Sequence, residues 1–460
     1  MCGVFGIRSP ERDVARLAYF GLFALQHRGQ ESAGIAVSDR GRITALRDMG
    51  LVTQVFREEH LQALPGELAI GHTRYSTTGS SAWANAQPVV QSGSARQVAL
   101  GHNGNLVNAA ELRAGLHARG IQLASTSDTE VIAALIANEP APLPEAVATA
   151  MRLLEGAYSV TALADETLVA FRDPLAVRPL SLGRIGDDWV VASETCALDL
   201  VGADWVRDVR PGEVVWVDGD GLHSAQAVPS SREAMCIFEH VYFARPDSRL
   251  AGTEVYGSRV RMGERLAAEA PADADFVMPI PDSGTPAAIG FSKASGIPFE
   301  EGLIKNRYVH RTFIQPDPGL REQGIRLKFN PLADIKGRRV VIVDDSIVRG
   351  NTMRQLVAML FDGGSAEVHV RISSPPVVSP CFYGIDMADE DELAAAHRSV
   401  EEMRETIGAS SLHYLSLEGM QEATALPETS VCRACFTRDY PTRVPAERNL
   451  AKLRFEPAPA

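Results

Sequence analysis

Val340-Val341-Ile342-Val343-Asp344-Asp345-Ser346-Ile347-Val348-Arg349-Gly350-Asn351-Thr352 is the most specific segment of this 460-residue chain. Its four β-branched apolar residues predict a buried parallel strand. Two acids follow at the carboxyl end, where open α/β sheets bind ligands. A loop with Ser, Gly and Thr then leads to a helix beginning near Met353, and backbone N–H groups at that helix start suit a phosphate. The loop is not a Walker A element, because G-x-x-x-x-G-K-[ST] is absent.

Working outward from this strand, helices and apolar strands alternate from about residue 255. Helices are predicted at Arg259–Glu269, Pro286–Ala294 and Asn351–Phe361, and strands at Phe276–Ile280, Arg339–Val343 and Glu367–Ile372. This is the βαβ rhythm of a parallel sheet covered on both faces. The first 230 or so residues differ. Short strands with Gly-bearing turns dominate there (Gly34–Val37, Leu68–His72, Val98–His102, Val160–Leu163, Thr167–Arg172, Trp189–Ser193), with helical periodicity at Val14–Gln26, Ala109–Arg119, Glu130–Ala137 and Glu145–Glu155. Glu139 to Pro144 is a Pro-broken connector. The pattern predicts α+β with packed sheets, then an α/β half. The domains expected are residues 2–235 and 236–445, followed by a tail at 446–460 whose end, Glu456 to Ala460, is expected to be disordered.

Composition excludes several classes. Hydrophobic residues at 45% and charged residues at 22% are globular, and a net charge of −13 argues against a nucleic-acid binder. No apolar run reaches the length of a membrane span, and the N-terminus lacks a signal peptide's basic and apolar regions. A cytoplasmic protein is expected, with no membrane or nucleic-acid partner. Its six cysteines are too few for a disulfide scaffold.

Cys2 follows the initiator Met. Trimming of Met1 leaves a thiol and a free α-amine on one residue, and such an amine, with an ordinary pKa of about 7.7–8.0, can act as base for the nucleophile beside it. Downstream come His27-Arg28-Gly29-Gln30-Glu31, Gly71-His72-Thr73-Arg74-Tyr75-Ser76-Thr77, Gly101-His102-Asn103-Gly104-Asn105 and Ser127-Asp128-Thr129-Glu130. In order and spacing these motifs resemble the class II, N-terminal-nucleophile glutamine amidotransferases. The resemblance implies a four-layer αββα glutaminase domain. It makes Cys2 the nucleophile, Asn103 and Gly104 the oxyanion donors, and Arg74 and Asp128 the partners of the glutamine carboxylate and ammonium. His27 and His72 are expected to be structural, and Arg28-Gly29 a loop near the nucleophile.

The Val340–Thr352 segment resembles the phosphoribosyl diphosphate signature of type I phosphoribosyltransferases. That resemblance gives Asp344 and Asp345 the ribose hydroxyls and Mg²⁺, and Ser346 through Thr352, with Gly350, the 5-phosphate. Asp282, Ser283, Gly284 and Thr285 look like the pyrophosphate loop, with Ser283 a further Mg²⁺ contact; one Mg²⁺ per subunit is expected. Between Leu303 and Asn330 lie six basic residues (Lys305, Arg307, Arg311, Arg321, Arg326, Lys328) against two acidic ones (Asp317, Glu322). Such an island is either a solvated loop or a lid that closes over a polyanion. Lys305, Arg307 and Lys328 are its expected substrate contacts. His310 stands where the family pattern has Gly, which bears on the lid's hinge.

Cys236, Cys381, Cys432 and Cys435 include a C-x-x-C pair, and spacing alone leaves Zn²⁺, an iron–sulfur cluster and plain core cysteines open. Together with Arg245-Pro246-Asp247-Ser248, Ser373-Ser374-Pro375-Pro376 and Cys381-Phe382-Tyr383-Gly384-Ile385-Asp386, they resemble the iron–sulfur-bearing branch of glutamine phosphoribosylpyrophosphate amidotransferases. The resemblance implies a structural [4Fe–4S] cluster on these four cysteines, glutamine and phosphoribosyl diphosphate as substrates, internal ammonia transfer, purine nucleotide feedback and a homotetramer. Cys196 is expected in the core. Two other functions fit parts of the sequence: another class II amidotransferase, which would lack the Val340–Thr352 segment, and a non-catalytic sensor of phosphoribosyl diphosphate, against which no named catalytic position is missing.

Overall fold

The computed structural model describes residues 1–76, 79–306, 325–387, 389–444 and 456. Arg307, His310, Arg311 and Arg321 lie outside the described residues, as does all of the tail except Glu456.

The first half holds two antiparallel sheets. One runs, in spatial order, Asp204–Asp208, Ser181–Ile185, Asp188–Ala192, Gly3–Arg8, Leu68–Arg74, Ser32–Asp39 and Arg42–Met49. The other runs Gly221–Gln226, Glu213–Asp218, Thr167–Arg172, Gly156–Ala164, Gln97–Leu106 and Val89–Ser92. They stack face to face through a core that joins Val4, Ala36 and Ile70 of the first sheet to Ala99, Leu163, Leu168 and Val215 of the second. The outer face of the first sheet buries Phe5, Ile7, Ile35 and Val37 under helices Val14–Ala24 and Thr195–Val201. Helices Ala109–Ala118, Asp128–Ala137 and Leu143–Met151 cover the second sheet over Leu100, Val160 and Phe171. This is an αββα sandwich. A central strand such as Gly3–Arg8 therefore alternates its destination rather than its polarity. Val4 faces the other sheet while Phe5 and Ile7 face helices, so both sides are apolar.

In the second half, strands Phe276–Pro279, Arg339–Asp344, Glu367–Ile372 and Ser411–Tyr414 form one parallel sheet in that order. Val340 and Ile342 face one core, with helices Asn351–Asp362 and Val400–Ile407. Val341 and Val343 face the other, with helices Val255–Glu269 and Thr285–Ser295. Burial on both faces explains why Val340–Val343 is unbroken by polar residues. The second of these cores runs on without a gap to Met1, Ala157 and Val177 of the sandwich. The two halves thus share apolar packing.

Two local expectations shift and one holds. The connector ending at Pro144 is shorter than its prolines suggest: the helix starts at Leu143, with Pro142 before it and Pro144 in the first turn, where a missing N–H costs no hydrogen bond. The helix expected at Asn351–Phe361 spans Asn351–Asp362, starting two residues before Met353 because Gly350, with φ +78°, turns the chain into it. The fourth parallel strand, Ser411–Tyr414, carries too little apolar signal to be found from sequence.

Candidate active sites

Sheet register brings the first site together. Gly3 pairs with Thr73 across the two neighbouring strands, so Cys2 and Arg74 sit side by side at one end of the first sheet. Asn103 and Gly104 come from the strand Gln97–Leu106 of the facing sheet. Asp128 opens a helix whose ten residues are all buried, and its carboxylate accepts the Leu106 N–H at 3.0 Å.

The Cys2 backbone N–H donates to Asn103 Oδ1 at 3.2 Å, and the thiol donates to the Tyr75 carbonyl at 3.5 Å. Holding Asn103 by its oxygen leaves the Nδ2 amide, fully buried, with no hydrogen-bond partner among the described residues. An unsatisfied buried donor costs about 1–3 kcal/mol, and an amide kept in that state beside a nucleophile is what an oxyanion site needs. Gly104 lies at φ +150°, and a Cβ there would stand 1.9 Å from the Ala157 carbonyl. From the second half, Gly384 presses on Gly104 so closely that its own Cβ would fall 2.9 Å from the Gly104 backbone.

Arg74 is buried, donating to the carbonyls of Ser80 (2.9 Å) and Gly79 (3.3 Å) and lying 3.7 Å from Glu31. Burial lowers its pKa, against the opposing charges of Glu31, Cys2 and Asp128. For Asp128, burial opposes ionisation, but His102 and backbone N–H groups outweigh it and hold the carboxyl below its ordinary value. An ionised acid and a buried guanidinium thus flank the thiol. His72 is neutral, pushed down to about 3 by burial, which fits a packing role.

Several partners here are invisible to local sequence reading. Arg28, expected only to line a loop, is fully buried and donates from Nε to the Cys2 carbonyl at 2.8 Å. The segment 382–386 reaches across from the second half: Asn105 donates to the Phe382 carbonyl (3.0 Å), Arg178 to the Tyr383 carbonyl (2.8 Å) and Tyr75 to Asp386 (3.4 Å). Glu456, expected in a disordered tail, accepts from the Ser80 N–H (2.7 Å) and the Thr126 hydroxyl (2.6 Å). Only His27-Arg28-Gly29 carried a signal, as a motif without an assigned task. Met1 is buried in the core shared by the two halves, and its peptide bond to Cys2 must be cleaved before Cys2 carries a free amine.

The second site sits at the carboxyl ends of Phe276–Pro279 and Arg339–Asp344. Gly284 lets the loop before helix Thr285–Ser295 close onto the strand; a Cβ there would lie 2.3 Å from the Val343 carbonyl. That contact sets the Ser283 hydroxyl near enough to the Asp345 carboxylate to favour its charge, and the same carboxylate accepts from Ser346 Oγ at 2.5 Å. The Asp345 N–H donates to Asp344 Oδ1 at 2.9 Å. Burial, then the neighbouring charge of Asp345, raises the Asp344 carboxyl well above its usual value, and burial raises Asp345. Lys305 pairs with Asp282, and Lys328 contributes positive charge near Asp344. Gly350 and Thr352 stand at the start of helix Asn351–Asp362. Two adjacent carboxylates and a hydroxyl are hard oxygen donors of the kind Mg²⁺ takes, and Mg²⁺ needs only one or two carboxylates from the protein.

The four cysteines gather where the halves meet. Cys236 and Cys432 pair in a short parallel ladder, and the Tyr383 N–H donates to Cys381 Sγ at 3.4 Å. Burial, with the charges of Cys236, Cys432 and Cys381, raises Cys435 well above its usual value; burial also pushes Cys236 up to about 11. All six cysteines are free thiols. Among the described residues no three His, Cys, Asp or Glu side chains converge on a single metal-ion position. Cys196 is buried in the core under helix Thr195–Val201. No helix among the described residues is long and apolar enough to cross a membrane.

Known proteins match this architecture on both sides. A glutamine amidotransferase domain model matches residues 72–200, and a phosphoribosyl transferase domain model matches residues 260–373. The amidophosphoribosyltransferase of Synechococcus elongatus is 54% identical over 463 residues, spanning 99% of this chain and 94% of that protein. That of Archaeoglobus fulgidus is 50% identical over 454 residues, spanning 97% and 99%. The solved structure of glutamine phosphoribosylpyrophosphate amidotransferase from B. subtilis, complexed with ADP and GMP, has a TM-score of 0.91 at 44% identity and covers 97% of this chain and 98% of that one. With half its residues identical over nearly its full length, and both halves in the same order, the chain belongs to the amidophosphoribosyltransferase family.

Proposed function

We propose that each half performs one step of glutamine-dependent 5-phosphoribosylamine formation, the first committed reaction of purine biosynthesis. Cys2 Sγ attacks the glutamine carboxamide carbon while the α-amine of trimmed Cys2 takes the thiol proton. The oxyanion is received by Asn103 Nδ2 and the Gly104 N–H. Collapse returns that proton to the leaving nitrogen and releases ammonia; water then hydrolyses the thioester to glutamate. Arg74 and Asp128 hold the amino-acid carboxylate and ammonium, which fixes the carboxamide over the thiol.

Ammonia passes within the protein to the second site, attacks C1 of phosphoribosyl diphosphate, and the C1–O bond breaks to free diphosphate. Asp344 and Asp345 hold the ribose hydroxyls and the loop from Ser346 to Thr352 the 5-phosphate. Residues 282–285, with Lys305, Arg307 and Lys328, hold the diphosphate. Mg²⁺ on Asp344, Asp345 and Ser283 would neutralise charge on the departing diphosphate. A [4Fe–4S] cluster on Cys236, Cys381, Cys432 and Cys435 would fix segment 382–386 against the first site; what supports this reading is the gathering of the four cysteines in the core where the halves meet. The six free thiols suit a reducing, cytoplasmic setting. Purine nucleotides as inhibitors, by analogy with the B. subtilis complex, and a homotetramer complete the reading.

The observation that carries the glutaminase step is the buried, unpartnered Asn103 amide beside Cys2. The test is glutamate release from glutamine by anaerobically purified protein, with and without phosphoribosyl diphosphate and Mg²⁺. Stimulation by the phosphoribosyl substrate, lost in Cys2→Ala, is expected. Glutamate release indifferent to that substrate overturns the assignment of the second step.

A further inference from the structure

Behind Cys2 lies a buried ionic assembly that the two reactions above do not use. Besides its bond to the Cys2 carbonyl, the Arg28 guanidinium donates to both carboxylate oxygens of Glu239, at 3.1 and 2.9 Å, and pairs with Glu194. Glu194 also accepts from Ser248 Oγ at 2.6 Å and the Arg245 N–H at 2.9 Å, and it meets His27 at 2.7 Å. Glu239 takes a second cation, Arg178, at 3.4 Å. The side chains of Arg28, Arg178, Glu194 and Glu239 are all fully buried.

Glu239 lies 211 residues from Arg28 and opens the π-helical turn Glu239–Phe243 of the second half. That turn is gripped by Arg259 of helix Val255–Glu269, which donates to the carbonyls of His240 (2.8 Å), Ala244 (2.8 Å) and Glu239 (3.5 Å). Arg259 is itself buried, and its helix is locked against helix Thr285–Ser295, which follows the 282–285 loop: a Cβ on Gly290 would stand 1.9 Å from the Val260 carbonyl, and one on Gly263 1.9 Å from the Ala287 carbonyl. A line of close contacts therefore runs from the strand end at Asp344 through Gly284 and the two helices to Arg259, and on through the turn to Glu239, Arg28 and the nucleophile.

We propose that Glu239 and Arg259 are positioning residues that make the geometry of Cys2 depend on occupancy of the acid pair. The physical ground is the stiffness of the parts. A planar guanidinium bonded to two oxygens of one carboxylate has little freedom. Buried charges have no water to absorb a displacement, so a move of the turn is passed to Arg28 and from Arg28 Nε to the Cys2 backbone. A ligand seated on the acid pair and the 282–285 loop bears on the start of helix Thr285–Ser295, whose packing against helix Val255–Glu269 leaves no room to move independently of Arg259, and Arg259 holds three carbonyls in and beside the turn.

The inference rests on the assignment of Asp345 to the phosphoribosyl site. The test uses the anaerobic holoenzyme with Glu239→Gln, and three rates: glutamate release alone, glutamate release with saturating phosphoribosyl diphosphate and Mg²⁺, and diphosphate release driven by free ammonia. The expected result is a stimulation ratio at least about ten-fold below wild type, within the range of single coupling effects. Ammonia-driven turnover, which bypasses Cys2, stays within about two-fold. Should this variant fail to fold, Arg259→Lys, which keeps the charge but cannot span the carbonyls, is read by the same three rates. Wild-type stimulation in a folded variant overturns the proposal alone. Ammonia-driven turnover falling in step with the ratio also overturns it, because the damage then lies in the acceptor site. A wild-type enzyme without stimulation overturns the two-site reading, and this proposal with it.

Discussion

Replacing Asn103 by Leu separates catalysis from stability, because its two side-chain atoms have different tasks. Nδ2 is buried without a partner, and Oδ1 accepts the Cys2 N–H at 3.2 Å. Losing the oxyanion donor is expected to lower glutamine-dependent kcat by about 10²–10³, roughly 2.7–4 kcal/mol. The stability terms oppose one another. Losing the Cys2 bond costs about 1 kcal/mol, whereas removing an unsatisfied buried amide returns about 1–3 kcal/mol. Asn103→Leu should therefore melt within a few degrees of wild type. Glutamate release and ammonia-driven diphosphate release, measured on the same preparation, should diverge: the first falls by at least about a hundred-fold and the second holds. Glutamate release above about a tenth of wild type, or a parallel fall in both rates, refutes the oxyanion assignment.

Gly384→Ala places a methyl about one ångström too close to Gly104 at a positive φ. It should depress glutamine-dependent turnover while sparing the ammonia-driven rate, at an overpacking cost of about 1–3 kcal/mol seen in urea unfolding. Glu194→Gln leaves Arg28 half-paired and should destabilise by about 3–5 kcal/mol at pH 7. Burial opposes the Glu194 charge, but His27 and Arg28 hold its carboxyl well below the usual range. Its stabilisation is therefore present above the ordinary Glu pKa of about 4.3 and is lost as pH falls toward the folded value, so the variant's deficit should narrow below about pH 4. Cys432→Ser should reduce bound iron and acid-labile sulfide, assayed chemically, and accelerate proteolysis of the region that joins the halves. Unchanged iron removes Cys432 from the proposed cluster.

What could be read from sequence was what is local. Val340–Val343 is apolar because both faces of one strand are covered, and its acids sit at the strand end, so a single window predicts strand, site and chemistry. The same holds for Gly350, whose turn starts the next helix. Cys2, Arg74, Asn103 and Asp128 needed more than a window, since sheet register brings them together; their motifs carried them only through resemblance. Arg28 with Glu239, and Gly104 with Gly384, were out of reach, because each joins residues hundreds apart across the interface of the halves. No periodicity encodes such a contact. A buried Arg looks like a surface Arg in sequence until its carboxylates are placed around it.

The most direct test of two sites acting as one enzyme is the stoichiometry of glutamate and diphosphate in wild type and Cys2→Ala. With glutamine as nitrogen donor, wild type should release the two in equal amounts, and Cys2→Ala should release neither yet still form diphosphate from ammonia. Diphosphate release by Cys2→Ala from glutamine at the wild-type rate would contradict the account, since nitrogen would then reach the second site without passing the first.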